Sequence, residues 1–367
     1  MPLFALIIIV FQAIVFLGHW FLYKTVIRFF GLRGSAPLVA AFALLSVSFI
    51  CASVLVFRYN KALVDLFYTL AAIWLGVFHF LLWCSFLCWM ALWAHRALGF
   101  HFRPMPWAAA FYAIGLALSV CSLVNASTVR TKEIDLALPG LPAEWRGRTA
   151  VLTSDLHLGP VRGRGFAIRI ARKIKRLHPD ILFIAGDLYD GTSGDPARLA
   201  APFAEIKPPL GAWFITGNHE EFSAGAKQTY IRAVREAGIH VLENEWVEID
   251  GLQLAGVDYT DTFTAAKYRA VLEKMVLGGR GPVILLKHSP MYPEVAREDG
   301  VALQLSGHTH GGQIFPASLV THLVYKGFDS GLRRQGGLTA YTSSGTGTWG
   351  PPMRFGTAPE IVLIRFF

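Results

Sequence analysis

Acidic residues are nearly missing from the first third of this 367-residue chain: before Asn125 there is one, Asp65, against seven lysines and arginines. From Ala126 onward the balance is 27 basic to 24 acidic, so the net +9 divides into +6 and +3. A nucleic-acid partner is not expected, because the basic excess sits between apolar stretches and not on a soluble basic face. Cysteine is absent after Cys121, which leaves the later two-thirds with no disulfide framework and no thiol clue to compartment. Cys51, Cys84, Cys88 and Cys121 all lie in apolar stretches. Cys84 and Cys88, four apart on a helix, have the spacing of a metal pair but read as small apolar fillers. No internal repeat or low-complexity tract is present.

With 53% hydrophobic residues, the chain is too apolar and too long for one ordinary soluble domain. Four stretches lack Asp, Glu, Lys and Arg and are long enough to cross a bilayer: Pro2–Tyr23, Pro37–Phe57, Leu66–Ala94 and Trp107–Val124. Aromatic residues near their ends (Trp20, Tyr23, Tyr59, Trp93, Trp107) resemble interfacial belts. The first stretch has no basic n-region and no small-residue cleavage site, and three more follow, so it reads as a span and not a cleaved leader. The expectation is a multi-pass protein of a bacterial inner membrane.

Loop charges barely orient it. Lys24, Arg28, Arg33, Arg96 and Arg103 stand on one side, Arg58, Lys61, Arg130 and Lys132 on the other. The first loop's charges tip the balance towards both termini lying outside the cytoplasm. His19 and His79 fall within spans, either as helix-packing side chains or as functional ones. The absence of intramembrane acids and bases counts against transport.

Residues 1–125 therefore form a four-helix transmembrane region, 126–148 a short linker with a first strand, and 149–367 a soluble domain. In the soluble part, short β-prone runs alternate with helical patterns. The expected strands are Val129–Leu136, Ala150–Ser154, Ile181–Ala185, Ala212–Thr216, Leu252–Val257, Val283–Lys287, Ala302–Ser306, Leu338–Ser343 and Ile361–Phe366. The expected helices are Arg164–Leu177, Pro196–Ile206, Ala226–Ala237 and Ala265–Val276. This is an α/β pattern, a sheet sandwich covered by helices. On Arg164–Leu177, Arg169, Arg172, Lys173 and Arg176 lie away from an apolar face of Phe166, Ile170 and Ile174. They form either a solvated face or a contact for anionic headgroups or a phosphate-bearing substrate.

Five short motifs follow predicted strands: Asp155-Leu156-His157, Gly186-Asp187, Gly217-Asn218-His219-Glu220, Lys287-His288 and Gly307-His308-Thr309-His310. Strand ends converge on one edge of a sheet, where sites are commonly built. In an extended chain Asp155 and His157, two apart, would point the same way. The glycines before Asp187, Asn218 and His308 would let the chain turn. Carboxylates, imidazoles and one amide oxygen, without a thiolate, suit two divalent ions of borderline hardness. Such a pair can polarise a phosphoryl group and supply hydroxide at neutral pH. Five of the 12 histidines fall in these motifs, whereas His178, His240 and His322 read as structural.

The order of motifs resembles that of the calcineurin-like metallophosphoesterase superfamily, from about Thr149 to the C-terminus. With Gly311-Gly312-Gln313-Ile314 after the last motif and Leu138–Arg148 before the first, the chain most resembles the membrane-associated bacterial branch (the YkuE, YaeI and LpxG types). The resemblance implies an αββα sandwich. It further implies that Asp155, His157 and His310 bind a first metal, Asp187 bridges two, and Asn218, His288 and His308 complete the second. His219 would be the catalytic residue, protonating the leaving oxygen or stabilising the transferring phosphoryl group. Asp190 is either its partner or a residue of the turn. The protein phosphatases of the superfamily carry an arginine where this chain has Gly191, which removes a phosphate-gripping guanidinium and argues against that activity.

The expectation is a membrane-anchored, metal-dependent hydrolase of phosphoester or pyrophosphate bonds, using two ions of manganese, iron or zinc. Its partners would be membrane lipids and a phosphorylated, amphipathic substrate such as a UDP-diacylglucosamine-like lipid. That lipid would require a site facing the cytoplasm, against the charge lean. A catalytically silent phospholipid- or partner-binding module is the competing reading, and the full ligand set argues against it. The short tether between the fourth span and Asp155 places the site close to the bilayer.

Overall fold

The structure is a computed structural model that describes residues 2–99, 103–192, 194–221, 226–279 and 281–367. Two compact units make it up: Met1–Val124 with Gly350–Met353, and Asn125–Trp349 with Arg354–Phe367.

Helices α1 (Pro2–Phe30), α2 (Ala36–Arg58), α3 (Ala62–Leu98) and α4 (Pro104–Ser127) fill the first unit. Each is long and apolar enough to cross a membrane. They outrun the charge-free stretches: α1 continues through Lys24 and Arg28, and α3 starts ahead of Asp65. The 37 residues of α3 span about 55 Å at 1.5 Å per residue, against ~30 Å of hydrocarbon.

Polar side chains join these helices where lipid would offer them nothing. Trp89 Nε1 donates to Thr25 Oγ1 at 2.9 Å, and Ser85 Oγ meets Tyr112 Oη at 2.8 Å. Cys84 Sγ donates to the Phe111 carbonyl at 3.0 Å, the contact of a packed filler and not of a metal pair. His19 is satisfied at both nitrogens, Nδ1 against the Val15 carbonyl at 2.8 Å and Nε2 against Trp74 Nε1 at 3.0 Å. That is a packing histidine. His79 lies edge-on to Phe80.

The second unit begins with β1 (Arg130–Leu136) and β2 (Thr149–Thr153), followed by α5 (Arg164–Arg176) and β3 (Ile181–Ala185). Next come α6 (Pro196–Ala200), β4 (Ala212–Ile215), α7 (Asn218–Glu221) and α8 (Ala226–Glu236). Then follow β5 (His240–Val241), β6 (Glu245–Ile249), β7 (Leu252–Val257), α9 (Ala265–Met275) and β8 (Val283–Lys287). The chain ends through α10 (Pro293–Glu298), β9 (Val301–Ser306), α11 (Ala317–Val324), β10 (Gly331–Gln335), β11 (Leu338–Thr342) and β12 (Glu360–Phe366).

Two six-stranded sheets result, β1-β12-β2-β3-β4-β5 and β10-β11-β9-β8-β7-β6. The runs β2-β3-β4-β5 and β7-β8-β9-β11 are parallel, and β12, β6 and β10 meet those runs antiparallel. Side-chain alternation assigns the layers. Leu152 and Phe183 face a core shared with Leu254, Ile284 and Leu305 of the other sheet. Val151, Leu182 and Ile184 face helices α5 and α8 through Phe166, Ile170 and Val234. On the far face of the second sheet, Leu285 packs with Tyr268 and Leu272 of α9. This is the αββα sandwich, each buried Leu, Ile or Phe contributing about 1.5–3 kcal/mol.

The expected helix over 196–206 breaks instead into α6 and a 3-10 turn, Ala201–Glu205, that contains Pro202. Proline lacks the amide hydrogen an α-helix interior needs. Strands β5, β6 and β10 and helices α7, α10 and α11 are additions to the expected set. Arg333 and Arg334 on exposed β10 follow no apolar alternation, so only pairing with β11 makes it a strand. On α5, Arg169, Arg172 and Arg176 are exposed while Lys173 donates to the Val129 carbonyl.

Candidate metal centre

The expected site residues all stand just past the C-terminal ends of parallel strands. Asp155 and His157 follow β2, Asp187 follows β3, and Asn218 and His219 follow β4. His288 follows β8, and His308 and His310 follow β9. The two sheets thus bring seven ligand-type side chains and His219 to one edge.

The chain achieves this by turning, not by staying extended. β2 ends at Thr153, and Asp155 and His157 have φ of 52° and 49°. Asp187, His308 and His310 are likewise left-handed, at 51°, 74° and 52°. Non-glycine residues in that region are uncommon, and their clustering marks a site where backbone strain is tolerated for geometry. Among the glycines expected at the turns, Gly186 has a left-handed φ of 85°, and Gly217 and Gly307 do not. A Cβ on Gly307 would lie 2.3 Å from Asp155 Oδ2. Its smallness lets the next amide, His308 N, donate to both carboxylate oxygens of Asp155 at 2.9 and 3.0 Å.

Three groups lie with their ligand atoms within 4.8 Å of one another: Asp155, His157 and His310; Asp187, His288 and His308; and His157, Asp187 and His219. Asp187 joins the first two. Its Oδ2 is 3.2 Å from His288 Nε2 and 3.8 Å from His157 Nε2, while Oδ1 accepts from the His219 amide at 2.9 Å. Asn218 Oδ1 reaches His308 Nδ1 at 2.8 Å and His288 Nε2 at 3.1 Å.

The residues present fit divalent cations. His157 Nε2 and His310 Nε2 face each other at 3.0 Å. Two nitrogen lone pairs so close repel unless a proton or a cation lies between them. The fully buried His157 Nδ1 has no hydrogen-bond partner, nor has Asp190 Oδ1, 3.5 Å away. A carboxylate behind a ring nitrogen fixes the tautomer that leaves the other nitrogen for a metal. Asp190 therefore stands behind His157 with its carboxylate, and meets His219 chiefly through its carbonyl, which is 3.0 Å from His219 Nδ1.

Burial and neighbouring charge set the protonation states of the metal-free centre. Burial alone would raise Asp187, but His288 and His219 outweigh it and hold the carboxyl well below the usual range. Burial opposes charge on His288, yet Asp187 brings it up to about 9. Burial, helped by His288, takes His308 down to about 3. Asp190 is pushed up to about 7 by burial, and His219 is lowered by burial against the pull of Asp187.

Two further residues complete the centre. Glu220 is fully buried and accepts from three main-chain amides, Asp187 at 3.1 Å, Tyr189 at 3.0 Å and Gly217 at 2.7 Å, tying two ligand loops together. Its place as the fourth residue of the Gly-Asn-His-Glu motif was the available signal. Arg354 grips His310 and gave none. Gly191, where a phosphatase arginine would stand, has φ 74°, and a Cβ there would lie 2.7 Å from the His219 carbonyl oxygen. His240 stacks on Trp213, and His322 Nδ1 pairs with Asp329 at 3.0 Å, both outside the cluster.

A fold of this kind with such a cluster defines a metallophosphoesterase. Residues 149–312 match the model of the calcineurin-like phosphoesterase family. An uncharacterized metallophosphoesterase of Aquifex aeolicus is 38% identical over 218 residues, covering 58% of this chain and 82% of that protein. A transmembrane protein with metallophosphoesterase domain from Danio rerio is 33% identical over 261 residues, 67% of this chain. The chain spans 60% of that protein's length and 59% of its Bos taurus counterpart. The chain belongs to the calcineurin-like metallophosphoesterase family.

Proposed function

We propose that the chain hydrolyses a phosphoester or pyrophosphate bond in a membrane-embedded or amphipathic substrate, using two divalent ions. One observation carries the reading: a single carboxylate oxygen, Asp187 Oδ2, faces a histidine of each ligand group, at 3.2 Å from His288 and 3.8 Å from His157. A shared carboxylate is what a two-ion centre needs. Asp155, His157 and His310 would hold one ion and Asn218, His288 and His308 the other. When bound, the ions would supply positive charge for the phosphoryl oxygens and lower the pKa of water into the neutral range.

The chain's own residues do the rest. The carbonyl of Asp190 fixes the ring of His219 at Nδ1, and Nε2 is then the nitrogen that serves the substrate. Burial lowers His219, so an arriving phosphoryl anion is what draws the proton onto it. His219 then donates to the leaving oxygen or to the charge building on phosphorus. Buried Glu220 holds the loops through three main-chain amides, and the Asp190 carbonyl holds His219.

The four apolar helices make a lipidic substrate the economical one, and a UDP-diacylglucosamine-like lipid is the most specific candidate. The setting proposed is a bacterial inner membrane. A face towards the cytoplasm suits that lipid, and the loop charges lean the other way. Purified full-length chain loaded with manganese, zinc or iron should hydrolyse bis-p-nitrophenyl phosphate. A folded, metal-loaded protein without turnover would favour a silent binding module. Lipid extracts of a null strain should accumulate the phospholipid substrate. An impermeant thiol reagent on intact cells, against a cysteine introduced at exposed Lys274, reports the side.

A further inference from the structure

We propose that helix α11 seats the catalytic unit on an anionic bilayer, inserting Leu319, Val320, Leu323 and Val324 so that the mouth of the metal centre opens onto lipid. The consequence for turnover rests on the phosphoesterase reading; the surface itself does not.

Helix α11 buries none of its eight residues. Leu319 and Leu323 stand 57% and 77% exposed, and Val320 and Val324 60% and 53%. Each pair is four residues apart, so the four side chains form two neighbouring ridges on one helix face. A contiguous face of that kind is foreign to a water-exposed surface and marks an interaction site.

Charge says what covers it. Between Gln313 and Gln335 the exposed ionised side chains are Lys326, Arg333 and Arg334. The single acid of the segment, Asp329, is buried and paired with His322. An apolar ridge on a segment whose exposed charges are all basic has the composition of a helix lying in the interface of anionic lipid. A water-soluble acidic partner would engage the rim but leave the ridges unsatisfied. A bilayer satisfies both. The chain itself ensures that one is at hand: α4, long and apolar enough to cross a membrane, ends at Ser127, and β1 starts at Arg130.

The surface is continuous with the metal centre. Tyr325, the residue after α11, lies with its ring 6.2 Å from that of His308. Trp349, half exposed, lies 6.0 Å from the ring of His219. Gln313 and Trp349 exchange two hydrogen bonds, at 2.9 and 3.0 Å, which join the approach to α11 with the tryptophan loop. Thr309 Oγ1, between the two ligand histidines, donates to the Asp329 carbonyl at 2.5 Å and anchors the far end of the segment. Inserting α11 would thus bring lipid headgroups to the rim of the ligand cluster.

The test labels full-length chain in nanodiscs of phosphatidylcholine and phosphatidylglycerol. Val320→Cys and, as control, Glu273→Cys on exposed α9 each carry an NBD fluorophore, with the four native cysteines replaced by serine. Position 320 should show blue-shifted emission, quenched at least twofold by doxyl-labelled lipid, and position 273 should show neither. Leu319→Gln/Leu323→Gln, changes at exposed positions, should abolish that quenching while bis-p-nitrophenyl phosphate hydrolysis stays within twofold. Emission at 320 as in water overturns the proposal. So does a shift that appears in lipid-free detergent and grows with protein concentration, which indicates a second copy, or one that needs monomeric lysolipid, which indicates an acyl-chain pocket. Quenching without any turnover leaves the seating intact and removes the phosphoesterase reading; turnover with a solvated label does the reverse.

Discussion

Arg354 holds His310 at two points: Nη1 donates to its carbonyl oxygen at 2.8 Å, and Nη2 lies 3.0 Å from ring Nδ1. Nη2 also donates to the Gly347 carbonyl at 2.7 Å. The bond to the carbonyl and the contact at Nδ1 together fix where the His310 ring stands. Burial brings Arg354 down to about 10, which leaves it charged at neutral pH. Lysine keeps the charge but not the planar fork. Arg354→Lys should therefore lose the ion proposed at Asp155, His157 and His310, and should destabilise the chain by about 1.5–3 kcal/mol. Metal analysis and thermal unfolding check this, and a variant matching the parent in both would remove Arg354 from the metal centre.

That contact shows where sequence reading stops. Asp155, Asp187, Asn218, His288 and His308 were legible because each follows a strand whose apolar run is visible, and parallel strands bring their C-terminal ends together. Arg354 is 44 residues from His310 and belongs to no strand, so only the folded chain connects them. Asp155 and His157 converge as expected, but through left-handed turns and not an extended pleat, because β2 ends at Thr153. Helix α11 is an eight-residue stretch in which Ser318, Thr321 and His322 interrupt the apolar residues, short enough to pass for a strand or a loop, and what distinguishes it is exposure, which periodicity does not report. Strand β10 owes its existence to its neighbour.

Asp187 and His219 should separate binding from chemistry. Asp187 faces both ligand groups, so Asp187→Asn should lose most metal from each. His219→Gln should retain metal and fold while the turnover number falls by about 10²–10⁴, the range for loss of a general acid. Metal content measured beside kinetics on the two variants decides it. Parallel metal loss would make His219 a ligand, as its place in the third group with His157 and Asp187 allows.

Glu220 is the test of the loop scaffold. Its two oxygens accept from the Asp187, Tyr189 and Gly217 amides, so a side chain with one acceptor leaves a buried donor facing an amide donor. Glu220→Gln preserves size and should cost about 1–3 kcal/mol. Asp187, which faces both ligand groups, lies on one of the loops it joins, so metal affinity should fall at both. Denaturant unfolding of metal-free protein isolates the stability effect, and an unchanged midpoint would contradict it.

His288 makes metal uptake depend on pH. In the metal-free centre Asp187 raises it from 6.5 to about 9, so it carries a proton at neutral pH that an unfolded histidine has largely lost. The contribution of the His288 proton to stability is thus fully present at pH about 6.5, while Asp187 stays ionised, and is lost as the pH rises through about 9. A cation at Asp187, His288 and His308 must expel that proton. Affinity for this ion should rise about tenfold per pH unit through the neutral range and level off above about pH 9. Calorimetric titration at pH 7.5, in two buffers of different ionisation enthalpy, should count close to one more proton released by the parent than by His288→Asn. Equal counts would mean that His288 is already neutral and that Asp187 and His288 form no ion pair before the metal arrives.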